Sequence, residues 1–354
     1  MNVLIEKEIF DSVKNKDEKL ELQFLLHIIW YNQRYTLLLN ENVFSCVVIQ
    51  EMSDIDKELL NLCFQQTIVS DVKADCIISE RGVYIQDEKI FSRTEAIKYL
   101  LQPLSIIVEN SLNDAHFINA IMRSYDSSQS FFKHASEGWV QFENAGGCGN
   151  VLNFLMARIK YFNNAPKFLR CYVLIDGDQR FPSDLVTKYD KLILNLNKWN
   201  VKYHRLEKRC MENYLPIHAI PKNNNTRDWI NAYEHLTPIQ RDYINISNGF
   251  WGDLNKEQKS KIEKECKKRK KRDKRNILLR NSIHKEIRNL YFDVSDTNFG
   301  YLALGIKIRD FKIKFPEYFN DTTNVYHKSL QEIVIHQSNP DELEDIKNDI
   351  LSLI

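Results

Sequence analysis

The chain has 354 residues, 43% hydrophobic and 27% charged, with 49 basic against 48 acidic residues and a net charge of +1. That is an ordinary globular composition with room for two domains; it excludes a disordered chain, and its overall charge names no partner. The charge is uneven: residues 256–275 hold 12 Lys or Arg against 4 Asp or Glu, an excess of +8 that leaves about −7 on the rest. The seven cysteines, at 46, 63, 76, 148, 171, 210 and 266, form no C-x-x-C pair, which argues against a disulfide framework or a zinc site and suits a reducing compartment. The first twenty residues carry too many Lys, Asp and Glu for a signal peptide, and the longest apolar stretch, Leu22–Tyr31, is too short to span a bilayer. A cytoplasmic protein without a membrane partner is expected.

Residues 1–102 read as an N-terminal α/β unit. RYTLLLNENVFSCVVIQ (34–50) suggests a hairpin around Asn-Glu-Asn, and Cys76–Ile78 with Val83–Ile85 a second, shorter pairing about Arg81-Gly82. Asp54-Ile-Asp56 precedes KELLNLCF, where acids are explained by a helix start. Ser92-Arg-Thr-Glu95 is a capping box, opening a helix that should end near Gln102 because Pro103 follows.

Residues 103–221 alternate strands and helices. SIIV (105–108), Trp139–Phe142, Leu169–Ile175 and Val201–Leu206 read as strands; DAHFINAIMRSY (114–125) and Val151–Phe162 read as amphipathic helices, with the glycine-rich turn AGGCGN at 145–150. Such alternation implies a Rossmann-like parallel sheet flanked by helices, with continuous apolar strands because both faces are buried. Residues 222–354 read as a helical, basic C-terminal region: a loop at NNNT (223–226), one long helix or two across 256–290, and a terminal helix after Pro340.

Two apolar strands in this sheet end in acids, SIIV-Glu109 and YVLI-Asp176-Gly-Asp178. About one Asp-x-Asp triplet is expected by chance in a chain this long, so placement decides. Ligands gather beyond the carboxyl ends of parallel strands, and side chains two apart point the same way. Converging carboxylates repel unless a cation is shared; oxygen donors without clustered His or Cys favour Mg²⁺ or Mn²⁺ over zinc.

The order IIVEN…ND, a Gly-Gly turn, VLIDGD and then HRLEKRCMENYL resembles the Toprim domain, and its last segment resembles the Toprim nucleases of the OLD (overcoming lysogenization defect) family. The resemblance covers roughly residues 103–216, and no P-loop pattern accompanies it. It implies a metal-dependent nuclease, a hydrolase cutting DNA or an RNA such as tRNA, acting in bacterial antiviral defence with one or two Mg²⁺ or Mn²⁺ ions. It implies a partnership with a separate ATPase or sensor protein and leaves oligomerisation open. Under it Glu109, Asp176, Asp178 and Glu212 are the catalytic and metal-holding acids. The family's further acid falls at Asn113, so Asp114 is the substitute ligand expected one residue later. Gly146 and Gly147 match the glycine turn, read either as tight strand-to-helix packing or as phosphate contact. Lys208, Arg209 and Arg180 are equal candidates for a cation near the reacting phosphate, and His204 reads as a polar strand-end residue.

KKRKKRDKR (267–275) is ordinarily a solvated helix face or a nuclear address; beside a nuclease core, phosphate contact by Lys267, Lys268, Arg269, Lys270, Lys271, Arg272, Lys274 and Arg275 is expected. The competing expectation is a catalytically weak Toprim module that binds nucleic acid or a protein as a regulatory or scaffold component, motivated by the displaced Asp114.

Overall fold

Short apolar runs that lie far apart in the chain pair only in parallel. In the computed structural model, residues 1–30, 34–39, 42–69, 72–80, 89–267 and 272–354 are described. β1 (Asn2–Ile5), β2 (Thr36–Leu38), β3 (Cys76–Ile78) and β4 (Ile90–Phe91) form one sheet in the order β2-β1-β3-β4. β5 (Leu104–Val108), β6 (Val140–Asn144), β7 (Cys171–Ile175) and β8 (Lys202–Arg205) form a second in the order β6-β5-β7-β8. Among the described residues every pairing is parallel. The protein is therefore α/β, with two four-stranded parallel sheets flanked by helices and a helical C-terminal region.

The second sheet shows why its strands lack polar alternation. Leu104, Ile106 and Val108 of β5 and Tyr172 and Leu174 of β7 pack on Phe117, Ile118, Ile121 and Met122 of the helix Ser111–Tyr125. Ile107, Val173 and Ile175 face the other way, onto Val151, Leu155 and Ile159 of the helix Cys148–Tyr161 and Leu192 and Leu196 of the helix Asp190–Lys198. Both faces are covered, so both strand parities must be apolar. The first core runs on without a break into the C-terminal region, reaching Leu343, Ile346 and Ile350 of the helix Glu342–Ser352. The N-terminal sheet has its own core of Val3, Ile5, Leu25, Ile29, Leu37 and Ile78 among others.

The hairpin expected at 34–50 is replaced by a crossover. Thr36–Leu38 pairs in parallel with β1, and Val47–Gln50 is a helical turn that buries Val48 and Ile49. A β-branched run takes the conformation its neighbours require, and here a buried helical turn overrides local strand preference. Cys76–Ile78 pairs with β1 and β4; Arg81-Gly82 and Val83–Ile85 lie outside the described residues. The capping box is complete: the Ser92 hydroxyl accepts from the Glu95 amide and the Glu95 carboxylate accepts from the Ser92 amide, opening the helix Arg93–Leu100. Asp54 and Asp56 lie in the first turn of the helix Asp54–Val69, where the Ser53 hydroxyl accepts from the Asp56 amide at 3.2 Å. Among the described residues the basic stretch is helical over Lys256–Lys267, Arg272–Ser282 and Lys285–Leu290, with residues 268–271 outside the description. The break before the third is local: the His284 imidazole accepts from the Glu286 amide as an N-cap. Among the described residues, no helix is long and apolar enough to cross a membrane.

Candidate active site at the strand ends

In a parallel sheet with its first strand inside, the chain leaves the two central strands in opposite directions, opening a crevice beyond their carboxyl ends. β5 and β7 are that neighbouring pair, with Ser105 opposite Cys171 and Ile107 opposite Val173. Glu109 follows β5 and Asp176 follows β7. The Tyr189 hydroxyl joins them: it donates to Asp178 in a short hydrogen bond and lies 3.3 Å from Glu109 Oε1.

The Asp-Gly-Asp turn is fixed by the segment after β8. A Cβ on Gly177 would lie 2.2 Å from the Lys208 carbonyl oxygen and 2.5 Å from that of Leu206, so no other residue fits. The Asp178 amide donates to the Arg209 carbonyl at 2.7 Å, and the Arg205 guanidinium to the Gly177 carbonyl at 2.8 Å. Asp178 is thereby held at φ +57°, a left-handed conformation that aspartate tolerates better than most residues. Gly177→Ala is expected to destabilise the fold by at least about 1–3 kcal/mol, as overpacking against fixed backbone does, and to lower the thermal midpoint measured by circular dichroism.

Electrostatics tie all five acids together. Burial, and then the charges of Glu212, Glu109, Asp178 and Asp114, push the Asp176 carboxyl well above the ordinary aspartate value. Asp176 keeps partial surface exposure at the strand end, so crowding by like charge matters there alongside desolvation. Asp114 is buried, and its carboxyl is pushed up to about 7 by burial and by Glu109 and Glu212, against a stabilising hydrogen bond from the Asn110 amide at 2.8 Å. Asn113, where the resembled family carries its acid, turns outward and donates to the Lys312 carbonyl at 3.2 Å. Asp114 is the residue that faces the cluster. Glu212 is buried in the turn Met211–Tyr214, where the Met211 amide donates to Asp176 Oδ1 at 3.2 Å. The Cys210 thiol, enclosed beside Glu212 and Asp176, is raised well above its usual value by burial and then by those charges.

The acids converge, but they do not yet grip. Among the described residues, no group of three or more His, Cys, Asp or Glu side chains is arranged so that it could hold a metal ion. One oxygen of each of three acids is engaged elsewhere: Asp178 Oδ2 by Tyr189 and by a close ion pair with Lys188, Asp176 Oδ1 and Asp114 Oδ2 by backbone amides.

The cations in this region are assigned by the same contacts. Lys208 is buried and closely ion-paired with Asp242; Arg209 pairs with Asp253 at 2.7 Å and Arg180 with Asp184 at 2.8 Å. Lys188, absent from the candidates read in the sequence, is ion-paired with Asp178 of the acid cluster. Tyr189 was equally illegible, because its hydroxyl reaches two strand ends from a position that no motif marks. His204 Nε2 lies 2.7 Å from the buried Glu342 carboxylate, so it anchors the C-terminal helix. Gly146 and Gly147 have φ +74° and +103°, and a Cβ on Gly147 meets nothing within 4 Å. Backbone handedness, and not tight packing, requires glycine there.

Of the basic run, Arg275 lies 4.9 Å over the Trp251 ring. Lys268, Arg269, Lys270 and Lys271 lie outside the described residues, while Lys267, Arg272 and Lys274 are placed in helices. No protein-family model, no curated protein and no solved structure matches this chain.

The displaced Asp114 titration has a measurable sign. Unfolded, this carboxyl loses its proton near its ordinary value of 3.8; folded, it holds the proton to about 7. Between those values the folded state binds more protons, so its contribution to stability falls as pH rises. In EDTA, the thermal midpoint of the wild type is expected to fall relative to Asp114→Asn between pH 5 and pH 8, read by differential scanning fluorimetry.

Proposed function

We propose that the protein is a Mg²⁺- or Mn²⁺-dependent Toprim-type nuclease, an effector of bacterial antiviral defence that hydrolyses phosphodiester bonds of DNA or RNA. The single observation that carries the proposal is that Glu109, Asp114, Asp176, Asp178 and Glu212, from three separate stretches of the chain, lie close enough beyond the strand ends for their charges to act on Asp176. Proteins do not gather that much like charge without compensation, and all-oxygen donors suit a hard divalent cation. When bound, such an ion supplies Lewis acidity and an activated water.

The chain's own residues then have distinct tasks. Asp176 and Asp114 give up the protons that their neighbours help them retain. Asp176, Asp178, Glu109 and Glu212 would be the residues to hold such an ion, and Asp178 would have to exchange its contacts with Lys188 and Tyr189 to do so. Lys188, now paired with Asp178, would then be placed to offset charge on the phosphate. No serine or cysteine nucleophile is needed. The basic run ending at Arg275 would hold the phosphate backbone without reading bases. A separate ATPase or sensor protein as partner, and a cytoplasmic location, belong to the same proposal.

The absence of a formed three-donor group among the described residues favours a second reading, a catalytically weak module that docks on nucleic acid or a protein. One experiment separates the two. Purified protein is incubated with plasmid, linear DNA and total RNA under a Mn²⁺ titration. Cleavage that appears with metal and stops with EDTA supports the nuclease; no Mn²⁺ binding at millimolar concentration supports the module.

A further inference from the structure

The two faces of the N-terminal sheet are covered differently. Val3, Ile5 and Ile78 point into its core, while Leu4 and Ile77, opposite one another in register, alternate to the other face. There Leu4 and Ile77 join Leu353 in walling a cavity of about 490 Å³, within the size range of small-ligand pockets. Its charged lining is mostly basic. Lys73, ahead of β3, Lys89, just before β4, and Lys202, the first residue of β8, stand against one carboxylate, Asp75.

These cations are short of counter-charge. Lys89 Nζ donates to the Tyr99 hydroxyl at 3.1 Å and to the Leu169 carbonyl at 3.3 Å, both neutral acceptors. Arg170, only 2% exposed and bonded to the Leu353 carbonyl at 2.9 Å, otherwise donates to the Leu100 and Gln102 carbonyls and the Tyr35 hydroxyl. Among the described residues no carboxylate ion-pairs with Lys73, Lys89 or Arg170. Lys202 pairs with Asp349 at 3.1 Å and donates to the Ser352 hydroxyl at 2.8 Å, and Asp75 accepts from the Asn2 amide at 2.8 Å. Cations taken from water with neutral acceptors alone carry a cost that a bound anion removes. The geometry points to a nucleoside phosphate site, with the phosphate on Lys73, Lys89 and Lys202 and the heterocycle on the Leu4–Ile77 wall. An apolar wall suits a flat ring and not a polyol. The site is separate from the acid crevice: Lys202 lies opposite Tyr172 near the start of β7, and Asp176 follows the other end of that strand, about 13 Å along it.

Binding there does not depend on the nuclease reading. In EDTA, which keeps metal from the acids, AMP, ADP, GDP and UDP are titrated by calorimetry and by differential scanning fluorimetry. At least one nucleotide is expected to bind in the micromolar range and to raise the thermal midpoint. Inorganic phosphate, which lacks the ring, should bind more weakly. Lys73→Glu, at an exposed position, should weaken nucleotide binding about tenfold or more, the loss of one charged hydrogen bond, and leave the midpoint of the free protein unchanged. Binding should persist in Asp176→Ala. Three results overturn the inference: no nucleotide binding at millimolar concentration, including the case in which a single-stranded oligonucleotide binds instead; inorganic phosphate binding as tightly as the nucleotides; or an affinity that Lys73→Glu leaves intact. Loss of binding in Asp176→Ala overturns it as well, because the ligand would then sit in the crevice.

Discussion

Asp176→Ala is expected to abolish divalent-cation-dependent cleavage, with a loss beyond about a hundredfold, the upper end of what losing a mere outer partner of a metal site costs. All four other acids act on Asp176, and its Oδ1 accepts from the Met211 amide, so it links the strands to the Met211–Tyr214 turn. The same crowding gives the test a second arm. Its carboxyl is raised in the folded state, so above the unfolded value its ionisation opposes folding. In EDTA at pH 8, Asp176→Asn should therefore unfold at a higher temperature than the wild type, while binding Mn²⁺ more weakly by calorimetry. Cleavage unchanged in Asp176→Ala would remove the nuclease reading. Equal stability in EDTA would remove the electrostatic account of the cluster.

Asp242→Ala is expected to be the most damaging substitution outside the crevice. The Asp242 carboxylate accepts from the buried Lys208 ammonium and lies 2.7 Å from His336 Nε2, and its backbone carbonyl accepts from the Arg209 amide. Burial already holds the Lys208 ammonium below its usual value despite this partner. Removing one member of a buried pair strands the other, at a cost of roughly 3–5 kcal/mol. Asp242→Leu with Lys208→Met should recover most of that loss, because two apolar groups leave no uncompensated charge. Chemical denaturation of the two variants measures both. Because the Lys208 carbonyl itself backs Gly177 and lies four residues before Glu212, the single variant should also depress any cleavage, and the double variant should restore stability before activity.

Glu342 completes this clamp. It is fully buried; desolvation pushes its carboxyl up, but His204, Tyr214 and the Glu207 amide together hold it below the ordinary glutamate value. Glu207 in turn accepts from the Ser338 and Asn339 amides at 3.1 and 3.0 Å. The C-terminal region thus supports the segment that carries Glu212, although nothing local in residues 333–345 marks such a role.

Features that depend on neighbours in sequence were legible. The Ser92/Glu95 box, the apolar strands of the second sheet and the acids at their ends follow from hydrogen-bond geometry, period and position over a few residues. The hairpin expected at 34–50 failed because a strand preference does not name the strand's partner: Thr36–Leu38 found β1, more than thirty residues earlier in register. The cations failed for a related reason. Lys208, Arg209 and Arg180 are equivalent as letters, and only their meeting Asp242, Asp253 and Asp184 withdrew them from the crevice, leaving Lys188 beside Asp178.

Taken alone, the residue order determined the parallel α/β character of the second sheet and placed Glu109, Asp176 and Asp178 at its strand ends, because period and strand-end position are local properties; Asp114 and Glu212 were named only through the family resemblance. Folding decided which cation and which phenol face those acids and how the C-terminal helix braces them. Those outcomes depend on which distant side chains compete for the same partner, and that competition exists only once the chain has closed on itself.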